Sequence, residues 1–142
     1  MEKIDHIAFQ VGGLDESIKF YIDTLGFRLI SRSRDNETSR ENAFLTLDDM
    51  ILELIQDDDN REHTSPEIQR PFCPHLAIEV GDIGKAAHNL RKLGINILCG
   101  PLSIEGEEAW LYFADPDNNV LEYIQWLHNR SGGQTKMLAR LS

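Results

Sequence analysis

The chain repeats itself. Residues 4–14, Ile-Asp-His-Ile-Ala-Phe-Gln-Val-Gly-Gly-Leu, realign with residues 73–83, Cys-Pro-His-Leu-Ala-Ile-Glu-Val-Gly-Asp-Ile, so that His6 falls on His75, Ala8 on Ala77, Val11 on Val80 and Gly12 on Gly81. A second stretch, Asp48–Gln56, realigns with Asp117–Gln125 and places Glu53 on Glu122. The offset is the same at both ends: 75 − 6 = 69 and 122 − 53 = 69. One register held over two separate segments marks a duplicated supersecondary unit, each copy with the same apolar face to bury. The copies are expected over residues 1–56 and 73–126.

Within each copy the apolar periodicity changes in the same order. A strand with period-two alternation opens it (Ile4–Val11; His75–Val80). A helix follows, with Leu14, Ile18, Tyr21, Ile22 and Leu25 at helical spacing in the first copy and Ile83, Ala87, Leu90 and Leu93 in the second. Gly26 and Gly94 are expected to stop these helices, and Asp15 and Asp82 to cap their starts. Three strand-like runs complete each copy: Phe27–Arg32, Ala43–Leu47 and Ile51–Gln56, then Ile95–Leu98, Trp110–Ala114 and Val120–Trp126. Asp115-Pro-Asp-Asn-Asn119 reads as a turn. The expected class is α+β, two β-α-β-β-β modules in one domain spanning 1–127. Residues 57–72, acidic and carrying Pro66 and Pro71, read as an exposed linker; 128–142 reads as a tail, in which Met137, Leu138 and Leu141 suit a short docked helix.

Charge excludes several functions. With 24 acidic against 14 basic side chains the formal net charge is −10, and no Lys/Arg cluster offsets it. Such a chain repels a phosphate backbone and an anionic bilayer, so neither a nucleic-acid nor a membrane partner is expected. The opening Met-Glu-Lys-Ile-Asp-His enters the strand pattern without a signal-peptide layout, and no apolar run approaches the roughly 20 residues of a membrane span. Cys73 and Cys99 make no CxxC pair and no disulfide framework. A reducing cytoplasm is the expected home.

Strand alternation picks out the chemistry. His6, Ala8 and Gln10 share one face and Ile7, Phe9 and Val11 the other, so the histidine points away from the helix-packed core; His75 behaves identically. Glu53 stands between Leu52 and Leu54, and Glu122 between Leu121 and Tyr123. A carboxylate mid-strand among apolar neighbours is costly unless it is paired or metal-bound. A lone strand histidine is more often a hydrogen-bonded core residue and a lone glutamate an edge charge, but four such residues at one internal offset point to a shared site. Two imidazoles and two carboxylates suit one first-row divalent ion: nickel, cobalt, zinc, iron or manganese.

The strand opening Ile4-Asp-His-Ile-Ala-Phe, the helix end Phe20-Tyr21 through Leu25-Gly26-Phe27, and Phe113-Ala-Asp-Pro-Asp-Asn-Asn-Val-Leu-Glu122 resemble the vicinal-oxygen-chelate (glyoxalase-like) superfamily. The resemblance covers residues 3–126. It implies paired modules forming a cupped mixed sheet around a divalent ion held by the first and last strands, here His6, Glu53, His75 and Glu122. Glu at the second ligand position, where extradiol dioxygenases and fosfomycin-resistance transferases rely on three ligands, favours the isomerase-type members and glyoxalase I above all. The nickel- or cobalt-activated bacterial forms carry His at the first position, which favours those two ions.

The implied activity is a lyase/isomerase reaction on a carbonyl or hemithioacetal compound. The ion acts as a Lewis acid, Glu122 takes a carbon-bound proton and Glu53 returns it. Gln10 and Asp57 stand where glutathione-dependent members carry Arg and Asn, which leaves the thiol cosubstrate open. With Trp110 and Tyr112, they are the candidate substrate contacts. The alternatives are a methylmalonyl-CoA epimerase-like enzyme, whose second ligand is usually Gln, or a non-catalytic binding protein. Family members commonly form homodimers, with modules paired within or between chains. Arg32 and Arg34 are weaker candidates for an anionic substrate, and His63 and His88 are expected in solvent.

Overall fold

The computed structural model describes residues 1–58 and 62–128, and the expected tail helix lies outside them. The first copy runs β1 (Ile7–Gln10), α1 (Leu14–Asp23), β2 (Arg28–Asp35), β3 (Arg40–Leu47) and β4 (Met50–Asp57). The second runs β5 (His75–Glu79), α2 (Ile83–Lys92), β6 (Cys99–Ile104), β7 (Glu108–Ala114) and β8 (Val120–Trp126). Each copy builds one four-stranded mixed sheet, ordered β1-β4-β3-β2 and β5-β8-β7-β6. The first strand pairs parallel with the last, and the other pairings are antiparallel. The expected α+β class of two β-α-β-β-β modules is the architecture found.

The chain divides into two compact units: residues 1–69 with 115–119, and residues 70–114 with 120–142. In the first, Leu14, Ser17 and Tyr21 of α1 pack with Ala43, Leu45, Leu52 and Leu54 of the sheet, all with at most 1% of their surface exposed. In the second, Ala87 and Leu90 of α2 are buried along with Leu111, Phe113 and Leu121. Ile22 and Leu93, expected on the packed faces, are exposed at 36% and 60%. At 3.6 residues per turn each sits roughly 90–110° from the centre of its helix's buried stripe.

Both helices end as the glycines require. Gly26 and Gly94 take φ of +77° and +74°, and the amide after each reaches back into the last turn (Phe27 N to Tyr21 O, Ile95 N to Leu90 O). The starts differ from expectation in one copy. Asp82 caps α2 by accepting from the Lys85 amide at 2.9 Å. Asp15, however, lies inside the first turn of α1, whose N-cap is Gly13 with no side-chain cap. The orphan amide of Leu14 is met instead by Gln56 Oε1 at 2.6 Å, and the equivalent Gln125 meets Ile83 N at 2.9 Å.

Strand edges moved more than strand identities. β1 starts at Ile7 rather than Ile4, and the run Ile95–Leu98 precedes β6 rather than forming it. Gly100-Pro101 disguises β6 as a turn. Proline is tolerated because β6 is an edge strand, with its register shifted between Cys99 and Leu102.

An acidic turn belongs to the first unit. Asp115 Oδ2 accepts from Tyr21 Oη at 2.9 Å, and its Oδ1 from the amides of Asp117 and Asn119. Asp117 accepts from Gly12 N at 2.9 Å and from Ser17 Oγ at 3.3 Å. His63, expected in solvent, is instead half-buried over Gly12, with Nε2 3.3 Å from Asp117 Oδ1. His88 is exposed on α2 as expected. Most of the described linker is exposed and carries no regular structure.

Candidate functional site

In the first unit the parallel register sets Ala8 beside Glu53 and Gln10 beside Ile55, so His6, Ala8 and Gln10 share the face of Glu53, Ile55 and Asp57. This face is opposite the helix-packed Leu52 and Leu54. His6 Nε2 lies 3.1 Å from Glu53 Oε2, and His6 Nδ1 lies 2.7 Å from Asp5 Oδ2. Phe44, directly across the ladder from Glu53, meets the His6 ring edge-on at 5.6 Å. The other oxygen of Glu53 accepts from Asn42 Nδ2 at 3.0 Å. Asp5 hydrogen bonding to the ring, joined by the nearby Glu53 charge, raises the His6 pKa above its ordinary value.

The second unit repeats the motif. His75 Nε2 lies 2.9 Å from Glu122 Oε2, and Nδ1 lies 2.9 Å from the Phe72 carbonyl oxygen. Tyr112, across the ladder from Glu122, meets the His75 ring at 5.3 Å and stacks on Phe72 at 4.8 Å. Trp110 pairs with Ile124 two positions along the same face. Glu122 is 9% exposed. Burial pushes its carboxyl pKa up, with Glu108 adding to the rise, while His75 opposes both. Burial, then the Glu122 charge, also raises the Tyr112 phenol.

Each imidazole is therefore oriented the same way. The nearest partner of each Nδ1, a carboxylate for His6 and a backbone carbonyl for His75, can only accept, which makes Nδ1 the donor there. That leaves an Nε2 lone pair facing a carboxylate oxygen at about hydrogen-bond distance. Two such acceptors side by side form the arrangement that a shared proton or a metal ion would bridge. Among the described residues no group of three or more His, Cys, Asp or Glu side chains gathers within metal-binding reach. The structure brings His6 to Glu53 and His75 to Glu122.

The remaining candidates lie as follows. Gln10 is exposed, and its backbone oxygen accepts from Asn119 Nδ2 at 3.1 Å. Asp57, half-buried at the end of β4, has Arg40 across the ladder, with a guanidinium nitrogen 3.9 Å from Oδ2. Arg32 and Arg34 are engaged by carboxylates: Arg32 by Glu41 and Asp15, Arg34 by Asp58 and Glu41. Cys73 is an exposed free thiol 3.8 Å from His75 Nδ1. Sequence reasoning missed Phe44 and Asn42. Phe44 carries a findable signal, an aromatic on the third strand of each copy facing the glutamate of the fourth. Asn42 carries none, because its counterpart is Trp110.

Two β-α-β-β-β units, each with a histidine at the start of its first strand against a glutamate of its last, define an α+β protein with a duplicated His/Glu pair. The chain belongs to the Glyoxalase/Bleomycin resistance protein/Dioxygenase superfamily, whose family model matches residues 3–123. It is 33% identical over 138 residues to a lactoylglutathione lyase of Haemophilus influenzae, covering 92% of this chain and 97% of that protein. A lactoylglutathione lyase of Arabidopsis thaliana is 31% identical over 84% of this chain, which spans only 43% of that protein's length. Among solved structures, the trypanothione-dependent glyoxalase I of Leishmania major superposes with a TM-score of 0.75 at 24% identity, covering 99% of this chain and 96% of that one. Among the described residues no helix is long and apolar enough to cross a membrane.

Proposed function

We propose that this protein is a divalent-metal-dependent lyase/isomerase of the glyoxalase I type, its ion held by His6, Glu53, His75 and Glu122. The observation that carries this reading is the pair of oriented His/Glu pairs, each setting an imidazole nitrogen and a carboxylate oxygen side by side. The donors fit a metal. Two ligands at about 2.1 Å from one ion and at right angles to each other lie about 3.0 Å apart; the separations here are 3.1 and 2.9 Å. Fixing the second ring nitrogen on an acceptor is also what metal-ligating histidines require. The family and the relatives named lactoylglutathione lyase support the reaction class.

When bound, the ion supplies Lewis acidity to the oxygens of a hemithioacetal or related carbonyl compound. Glu122 takes the proton from the thiol-bearing carbon, the electron pair moves toward the neighbouring carbonyl, and the proton taken up is returned to that neighbouring carbon, so that none is gained or lost overall. One carbon is oxidised to a thioester and the other reduced to a carbinol, so no external oxidant or reductant is needed. Burial suits Glu122 to the base role because it raises carboxylate basicity. Trp110 and Tyr112 line the face beside it, and Gln10 and Asp57 line the other half-site as substrate contacts.

Nickel or cobalt is the ion we favour, one per site, with zinc, iron and manganese as the other candidates. We further propose one domain over residues 1–127, a homodimeric assembly and a cytoplasmic location; the two free thiols are compatible with a reducing compartment. The test is metal content of the purified protein followed by turnover of the glutathione–methylglyoxal adduct. Stoichiometric nickel or cobalt with turnover supports the reading. Bound metal without turnover moves the substrate to another thiol or carbonyl compound. A folded protein that takes up no metal overturns the ligand assignment.

A further inference from the structure

We propose that Asn42 is a positioning residue that fixes Glu53 as a permanent ion ligand and so leaves proton removal to Glu122. The inference rests on the proposed function and deepens it by giving the two glutamates unequal duties. Asn42 Nδ2 donates to Glu53 Oε1 at 3.0 Å, while Glu53 Oε2 faces His6. The amide is itself oriented, since Ser33 Oγ donates to Asn42 Oδ1. Flipping the amide would turn its oxygen onto a carboxylate, so the arrangement has one stable sense. Both oxygens of Glu53 are thereby committed, and the side chain cannot swing toward a substrate carbon, either to remove a proton or to return one as the family resemblance implied, without breaking its hydrogen bond to the Asn42 amide.

The second unit lacks this restraint. Asn42 faces Ile55 across its ladder and Trp110 faces Ile124 across the other, and 124 − 55 = 69, so Trp110 occupies the equivalent position. Its indole replaces the amide, and among the described residues Glu122 pairs with His75 alone. Duplicated carboxylates thus sit in unequal surroundings, one tethered at both oxygens and one at a single oxygen.

The test begins with cobalt(II) binding to the metal-free protein by calorimetry and by the visible spectrum, neither of which needs turnover. Asn42→Leu keeps the branched shape and removes the donor. It is expected to weaken cobalt binding by roughly 10–100-fold and to alter the cobalt bands, as loss of an outer-shell partner does. Ser33→Ala, which removes only the orienting hydroxyl, should shift affinity in the same direction by less, and it carries the comparison if Asn42→Leu does not fold. In the cobalt-loaded protein, Glu53→Gln should retain solvent exchange of the substrate's carbon-bound proton, whereas Glu122→Gln should abolish it. Unchanged affinity and spectrum in Asn42→Leu, or equal loss of exchange in both glutamine variants, overturns this inference alone. Failure of the unaltered protein to bind any ion overturns it together with the proposed function.

Discussion

Tyr21 donates its phenolic proton to the buried carboxylate of Asp115, 2.9 Å away and 94 residues further along the chain. Neither side chain has access to bulk water, so each is the other's replacement for solvent. Burial pushes the Tyr21 phenol far above its ordinary value, with Asp115 adding to the rise, and it pushes the Tyr123 phenol up to about 12.

The sign of the resulting pH dependence follows from these two groups. Unfolded tyrosines lose their protons near pH 10, and the folded ones keep theirs to higher pH. The folded state therefore binds more protons above pH 10, and stability falls as pH rises. Each phenol contributes a slope of up to about 1.4 kcal/mol per pH unit. Urea unfolding between pH 9 and 11.5 should show this decline, to which the raised Tyr112 phenol adds with the same sign, and Tyr21→Phe should remove one phenol's share of it. At neutral pH that variant leaves Asp115 short of one donor and should cost about 1–3 kcal/mol.

Gly12 and Gly81 are equivalent in the repeat but not in space. A Cβ on Gly12 would lie 2.9 Å from His63 Cδ2 and 3.0 Å from Asp117 Oδ1, whereas one on Gly81 meets nothing within 4 Å. Gly12→Ala should destabilise the protein by about 1–3 kcal/mol as an overpacked site. Gly81→Ala should fall within about 0.5 kcal/mol of the unaltered protein. Denaturant midpoints of the two variants, measured side by side, decide it; equal midpoints would mean that the acidic turn does not pack on Gly12.

Gln56 and Gln125 each hold the first amide of a helix from a strand end 42 residues away. Replacing either by alanine leaves an N-terminal donor unmet and should cost about 0.5–2 kcal/mol. Amide hydrogen exchange should locate the damage, with faster exchange in the first turn of α1 for Gln56→Ala and of α2 for Gln125→Ala.

Removing a first-strand histidine should act on ion binding before anything else. His6→Ala and His75→Ala each delete an imidazole nitrogen facing a glutamate. Either should lower nickel affinity beyond the roughly 10–100-fold typical of an outer-shell partner. Glu122→Gln should lower kcat by about 10²–10⁴-fold, the usual contribution of a general base. Calorimetric titration of the metal-free variants against turnover of the loaded ones separates the two effects; an unchanged nickel affinity in both histidine variants would remove them from the ligand set.

Much of the fold was legible because it is written in local periodicity and then written twice. The two β-α-β-β-β modules, the helix stops at Gly26 and Gly94 and the cap at Asp82 all depend on residues within a few positions of one another. The candidates His6, Glu53, His75 and Glu122 stood out for a different reason, the recurrence of the same two residue types at one offset, but which histidine meets which glutamate came from the strand register. What escaped depends on partners distant in sequence. Gln56 rather than Asp15 serves Leu14, and His63 packs on Gly12 and Asp117 rather than in solvent. The strand β6 hid behind Gly100-Pro101, whose turn-like composition is tolerated only because that strand lies at a sheet edge, a fact fixed by topology and not by neighbours in sequence.

The acidic turn Asp115–Asn119 is flanked by strands of the second unit yet belongs to the first. Duplication made two halves of the message, but they are not two self-sufficient objects. A polypeptide severed after Gln69 would carry Gly12, Ser17 and Tyr21 away from the carboxylates that receive their protons. The leading fragment would be stranded with orphaned donors in its interior, while the trailing fragment kept the missing piece. Co-expressed fragments would thus have cause to reassociate, and neither could be inherited alone.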